Sequence, residues 1–190
     1  CEAAATHYRA TGCDLIIGFG GGSALDGAKG IAVMAHHRGS LVDYDDALGG
    51  YERIMDSIPP LICIPTTAGT GSEVGRSTVV VDETTNRKVV VFSPFLMPSV
   101  ALLDPSLMTS LPPHITAATG FDALTHNLEA LVATGYNPLC DGLAMEGIAL
   151  CHQFLLRAYK EPNDLDARQG MSVASLMGAT AFQKGLGAAH

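Results

Sequence analysis

The hydrophobic pattern changes its period once, at Leu111-Pro112-Pro113, and that change limits the fold more than any other feature of the sequence. Before it, short apolar runs alternate with segments of helical spacing. CDLIIGFG (13–20) is a continuous apolar run ending in glycines, the pattern of a strand buried on both faces of a parallel sheet. SALDGAKGIAVMAHH then sets Leu25, Ala28, Ala32 and Ala35 three and four apart, which predicts a helix whose small residues pack closely on a sheet. LICI, fenced by prolines, is a second buried strand. STVVVDETTNRKVVVFS predicts a hairpin about the polar turn Glu83–Asn86, and SVALLDP a short strand stopped by Pro105. Beyond the two prolines strand signals almost vanish. ITAATGFDALTHNLEALVATG predicts a helix with Leu124, Leu128 and Leu131 on one stripe and Gly135 as its C-cap. Asn137-Pro138 starts a helix that runs to about Lys160, and Asn163 or Asp164 caps another passing through Met171, Ala174 and Met177 towards Gly185. The order is an α/β part over residues 1–112 followed by an all-α part over 113–190.

Composition narrows the function. Hydrophobic residues make up 47% and charged residues 16%, against about 25% charged in an average domain, so the chain has the apolar content for a core and is not disordered. Eleven Lys and Arg against 19 Asp and Glu give a net charge of −8. With no basic cluster, the chain lacks the footprint that a phosphate backbone requires, and nucleic acid is not an expected partner. No stretch of roughly 18 uncharged apolar residues is present, and the start lacks the basic-then-apolar layout of a secretory signal, so no membrane partner and a cytoplasmic location are expected. Cys1, Cys13, Cys63, Cys140 and Cys151 form no C-x-x-C pair and are expected to be reduced; Cys13 and Cys63 lie in or beside apolar runs that suit a buried thiol. The first residue is Cys rather than Met, and His190 ends a Gly-rich segment, so the chain is expected to be a piece of a longer protein.

Three motifs carry chemistry. Gly18-Phe19-Gly20-Gly21-Gly22-Ser23 lies between a buried strand and a helix start, where bare N–H groups and the helix dipole favour a phosphate. The plainer alternative is an ordinary strand-to-helix turn, and Ser23 stands where a G-x-G-x-x-G pattern has its third glycine. Asp43 lies at the distance of a ribose-binding acid, but its surroundings do not read as a strand end, and that role is rejected for it. The run Pro65-Thr66-Thr67-Ala68-Gly69-Thr70-Gly71-Ser72-Glu73 leaves the second strand rich in hydroxyls and glycines, either as a simple turn or as a second ligand loop at the strand ends of an α/β sheet. Asp122 and His126 are four apart on a helix, so both project from one face and can share a cation; the donor pair suits Fe²⁺ or Zn²⁺ better than Ca²⁺ or Mg²⁺. His190 follows a segment of residues too small to pack heavily, and one helical hairpin could return it to the same place. His7, His36, His37, His114 and His152 have no partner pattern and are expected at the surface or at the core boundary.

Taken in order, GGGSALDGAKGIAV, PTTAGTGSEV, PSVALLDPSLM, GFDALTHNLEA and GLGAAH resemble the iron-containing (group III) alcohol dehydrogenase family over essentially the whole chain. The resemblance implies a dehydroquinate synthase-like fold: a Rossmann-like domain binding NAD or NADP, then a helical domain binding Fe²⁺ or sometimes Zn²⁺, with the active site in the cleft between them. It also implies a homo-oligomer. Carried across, it makes Gly21, Gly22 and Ser23 the pyrophosphate loop with Asp26 on the same helix start. Thr66, Thr67, Thr70 and Ser72 become cofactor contacts, Lys88 the ribose-binding lysine, and Leu107 a packing contact of the cofactor. Asp122, His126 and His190 become three of four metal ligands. The family's fourth ligand and a proton-relay histidine would follow position 190, and its opening strand and adenine-ribose acid would precede Cys1; no catalytic acid or base is assigned within the chain. The implied reaction is hydride transfer between an alcohol and the nicotinamide. A glycerol dehydrogenase or hydroxyacid–oxoacid transhydrogenase of the same fold, or an inactive nucleotide-binding fragment, are the alternatives.

Overall fold

The computed structural model describes residues 1–55, 58–187 and 189–190. The chain forms two compact units: Cys1–Pro65 with Gly75–Leu102, and Thr66–Val74 with Leu103–His190. The division after Leu102 falls ahead of the expected boundary at residue 112, and the hydroxyl-rich loop Thr66–Val74 groups with the helices although the strands on either side of it belong to the first unit.

In the first unit, helix α1 (Glu2–Thr11) precedes strand β1 (Ile16–Gly20), helix α2 (Gly22–His36) and strand β2 (Leu61–Pro65). The hairpin strands β3 (Ser77–Asp82) and β4 (Arg87–Phe92) follow, then the short strand β5 (Val100–Ala101). β1, β2 and β5 make a parallel sheet in that order, with Ile16 opposite Leu61 and Ile62 opposite Val100. α2 packs on β1 and β2 through Leu25, Ala28 and Ala32, which form a cluster with Ile16, Leu61 and Cys63. The close approach is possible because β1 presents Gly18, where a Cβ would stand 3.0 Å from that of Ala28. The hairpin pairs Ser77 with Phe92, and Asn86 turns it with φ 52°. Lys29 is buried in α2 and donates through Nζ to the carbonyls of Gly75 (2.8 Å) and Ser77 (2.9 Å), tying the helix to the start of β3.

Two expectations need correction here. β1 begins at Ile16 and is buried on one face only: Ile16 points to α2, while Ile17 and Phe19 are 57% and 58% exposed. Helices of this unit cover only one side of the strand, and the alternation of the pleat leaves the other side open. Cys13 consequently lies outside the strand and is exposed; Cys63, Cys140 and Cys151 are buried, and all five thiols are free.

The second unit is built on α3 (Pro113–Val132), α4 (Pro138–Lys160) and α5 (Leu165–Ala181), each packed on the other two. Small residues bring the axes together: Ala123, Cys151, Ala158, Ala167 and Ala174 share one cluster with Ala68, Met108 and Met171. Asn127, fully buried in α3, donates through Nδ2 to Ala123 O (2.8 Å) and to Ala174 O of α5 (2.9 Å). Asn137 caps α4 by accepting from Cys140 N–H, and Asp164, not Asn163, caps α5. α3 ends before the expected cap: Ala133 turns extended with ψ 141°, and Gly135 instead lies against Lys184. α4 is long and apolar enough to cross a membrane by length and composition, with mean hydropathy 1.2 over its best window. Asp141, Glu146 and Arg157 interrupt it, so it contains no run of roughly 18 uncharged apolar residues.

Candidate functional site

Asp122 and His126 stand one turn apart on α3, and the backbone around them fixes the ring. His126 is buried (6% exposed), and its Nδ1 faces the carbonyl of Gly69 at 3.3 Å. A carbonyl only accepts, so Nδ1 carries the hydrogen and Nε2 keeps its lone pair. The loop brings that carbonyl close because it has no side chain at 69: a Cβ there would stand 2.7 Å from Thr119. Gly71, with φ 62°, likewise lies against Ala179 of α5. His126 Nε2 lies 3.8 Å from Asp122 Oδ1.

His190 Nε2 lies 3.4 Å from the same carboxylate oxygen, and the two imidazoles are 4.6 Å apart between centroids, tilted by 30°. The three donor atoms all lie within 4.8 Å of one another. Phe182 covers the His126 ring with centroids 5.0 Å apart. Burial pushes the His126 pKa down, opposed by the Asp122 charge, while the hydrogen bond to Glu129 raises that of His190.

This donor set fits a first-row divalent ion. Two donors on a tetrahedral ion with bonds of ~2.1 Å stand about 3.4 Å apart, close to the 3.4 and 3.8 Å between Asp122 Oδ1 and the two rings, and two imidazoles with one carboxylate suit Fe²⁺ or Zn²⁺. Glu129, two turns along α3 from Asp122, is the residue that sequence reasoning missed, together with the Gly69 carbonyl. Its carboxylate accepts from His190 Nδ1 at 2.7 Å. The signal was available, since Asp122, His126 and Glu129 lie at spacings of four and three, on one helix face.

In the first unit, β1 runs into α2 through Gly20 (φ 143°), and Gly21 is the N-cap. Among the described residues no side chain caps this 15-residue helix, so the amides of its first turn, Gly22 and Ser23, head an open positive dipole end. Asp26 turns one carboxylate oxygen to Val79 N–H (2.9 Å), and its carbonyl accepts from Thr78 Oγ1 (2.7 Å), which docks α2 against β3. Lys88 is exposed on β4 opposite Val81. Asp43 accepts from Ser40 N–H in a capping box. His37 is half-buried, at the boundary, and accepts Met55 N–H through Nε2 (2.8 Å); His7, His36, His114 and His152 are exposed.

The other proposed cofactor contacts lie in the second unit. Thr66, Thr67 and Thr70 are half-buried and Ser72 is buried, with Ser72 N–H directed at Thr70 Oγ1 (3.4 Å). Leu107 is half-buried in the turn Pro105–Met108, beside the buried Met108.

The sequence pattern of iron-containing alcohol dehydrogenases matches residues 1–105, and that of the C-terminal part of the Fe-containing alcohol dehydrogenase family matches residues 116–190. The chain is 46% identical over 187 residues to a 4-hydroxybutyrate dehydrogenase of Cupriavidus necator, covering 98% of this chain and 49% of that protein. It is 41% identical to a 1,3-propanediol dehydrogenase of Klebsiella pneumoniae, covering 96% and 46% respectively. The crystal structure of sulfoacetaldehyde reductase from Bifidobacterium kashiwanohense in complex with NAD⁺ superimposes with a TM-score of 0.91 at 36% identity, over 97% of this chain and 48% of that one. The chain spans about half the length of the curated relatives it matches. With its α/β half and its helical half matched in order, the chain belongs to the iron-containing alcohol dehydrogenase family.

Proposed function

We propose that this chain supplies the nucleotide loop and most of the metal site of a divalent-metal- and NAD(P)-dependent dehydrogenase that moves hydride between an alcohol and the nicotinamide ring. The observation that carries the proposal is the convergence of Asp122, His126 and His190, with three donor atoms inside 4.8 Å. Fe²⁺ is the ion the family points to, and Zn²⁺ suits the same donors. The open N-terminus of α2 at Gly21 supports dinucleotide binding, and a relative of the same fold binds NAD⁺.

When bound, the ion supplies Lewis acidity towards an alcohol or carbonyl oxygen, and the nicotinamide takes or gives the hydride. The chain's own residues bind and orient. Gly21, Gly22 and Ser23 offer backbone amides to the pyrophosphate. Thr66, Thr67, Thr70 and Ser72 offer hydroxyls to phosphate, ribose or the nicotinamide end, Lys88 a cation to the ribose hydroxyls, and Leu107 an apolar contact. Asp122 places a carboxylate beside two imidazoles, and the Gly69 carbonyl holds His126 with its Nε2 lone pair free.

Metal analysis and NAD⁺ titration test this reading. The purified chain is expected to hold stoichiometric divalent metal and to bind NAD⁺; His126→Ala is expected to lose the metal while NAD⁺ affinity stays within about twofold, because no cofactor contact is removed. In a protein of the relatives' full length carrying this sequence, the same substitution is expected to abolish metal-dependent turnover. Full turnover by a metal-free His126→Ala protein would overturn the proposal. NAD⁺ binding by a wild-type chain that takes up no metal would reduce it to a nucleotide-binding module.

A further inference from the structure

The carboxylate of Glu129 is 2% exposed, and the proposed function gives it no task. It is densely bonded. Gly187 N–H donates to Oε2 (3.1 Å), Ala189 N–H to Oε1 (2.9 Å), His190 N–H to both oxygens (3.1 and 3.3 Å), and the His190 ring to Oε1 through Nδ1 (2.7 Å). Among the described residues of the segment it collects, the side chains offer little to hold. Gly185, Gly187 and Ala189 carry almost no side chain, and Leu186 is 37% exposed.

We propose that Glu129 is the positioning residue of His190: it fastens the backbone amides of Gly187, Ala189 and His190 to α3 and, by accepting Nδ1–H, turns the Nε2 lone pair of the ring to the place where Asp122 and His126 converge. The inference rests on the metal reading of the preceding section. An ionised carboxylate has only acceptors, so the 2.7 Å contact fixes the Nδ1–H tautomer, and the 3.4 Å approach of Nε2 to Asp122 is the geometric result. Without Glu129, three backbone amides lose one shared acceptor and the imidazole is free to rotate about both side-chain torsions. The carboxylate also makes the imidazole a better donor, as carboxylates behind ligating histidines do.

Co²⁺ titration of the protein, followed by its visible d–d absorption, tests the proposal with a readout independent of turnover. Wild type is expected to give the band pattern of a low-symmetry site. Glu129→Gln, nearly isosteric but with an amide group where one oxygen receives N–H donors, is expected to lose 10- to 100-fold in Co²⁺ affinity, with NAD⁺ affinity unchanged. In a His190→Ala background the same substitution is expected to cost less than twofold, because the ring it positions is gone. An undiminished Co²⁺ affinity in Glu129→Gln would overturn the proposal, as would an equal loss with and without His190. If wild type takes up no Co²⁺, Zn²⁺ or Fe²⁺, the metal reading fails and this inference with it; if wild type binds and Glu129→Gln binds equally well, only this inference fails. Should Glu129→Gln not fold, ¹⁵N shifts of the metal-free wild-type imidazoles, at a pH where His190 is neutral, decide the matter: the Nδ1–H tautomer supports the assignment and the Nε2–H tautomer overturns it.

Discussion

At Gly178, in the last turn of α5, two effects of opposite sign compete. In a helix interior, alanine is favoured over glycine by about 0.8–1.0 kcal/mol. A Cβ at 178, however, would stand 2.7 Å from Asn127 Nδ2 and 3.1 Å from His126 Cβ, and Asn127 cannot retreat while its amide is held by two carbonyls. Overpacking of this kind costs about 1–3 kcal/mol, so Gly178→Ala is expected to be destabilising by about 1 kcal/mol net and to weaken metal uptake by shifting His126. The control lies on α4: nothing stands within 4 Å of a Cβ at Gly142, and Gly142→Ala is expected to gain up to about 1 kcal/mol. Urea unfolding of both variants checks the pair, and two shifts of the same sign would contradict the account. Legibility at this scale followed the range of the interaction. Asp122 and His126 were readable because helical spacing alone puts them on one face. Asn127 and the Gly69 carbonyl were not, because their meaning depends on partners 47 and 57 residues away. His190 was readable as a residue that a helical hairpin could return to the site, and its role as a ligand came through resemblance.

Among the elements, those with local end signals were readable and those ended by tertiary contact were not. The start of α4 followed from Asn137-Pro138, which are cap and first turn in the structure. The end of α3 did not follow from Gly135, because the chain leaves the helix at Ala133 and the glycine is used for its lack of a side chain against Lys184. The tight turns over Leu41–Arg53 carry no periodic signal and were not anticipated. The start of α5 supplies a pH prediction. Asp164 accepts Ala167 N–H (3.0 Å) and receives Arg157 from α4 through Nε (3.0 Å) and Nη2 (2.7 Å). The cap bond first, and then Arg157, hold its pKa below the ordinary 3.8. A carboxyl whose folded pKa is depressed stabilises the fold above its unfolded pKa and loses that contribution as pH falls through the folded value. Thermal midpoints are therefore expected to drop as pH goes below 3.8, and the drop should be shallower in Asp164→Asn, which keeps a cap acceptor but carries no charge. Parallel wild-type and variant curves through the acid range would assign the loss to other groups.

Over the whole molecule, the α/β-then-helical order was legible because the change of period is a property of long stretches. The membership of Thr66–Val74 in the helical unit was not, since its neighbours in sequence are strands. Nor was the amount of apolar surface left open. On the α3–α4 face of the helical unit, Phe121 and Leu156 are each 60% exposed, with Leu128 at 44% and Tyr159 at 43% beside them. Exposed leucines one at a time are ordinary, whereas a contiguous apolar patch binds apolar solutes. A net charge of −8 would repel an anionic dye and hide the effect at low salt, so a neutral dye such as Nile red is the suitable probe. The folded chain is expected to enhance and blue-shift its emission, with the signal indifferent to salt because the interaction is not coulombic. Phe121→Ser with Leu156→Ser removes the two most exposed rims of the groove and is expected to lower the signal at least severalfold while far-UV dichroism is unchanged. Emission that survives the double substitution would move the dye to another surface, of which the open face of β1 at Ile17 and Phe19 is the first to examine by the same exchange to serine.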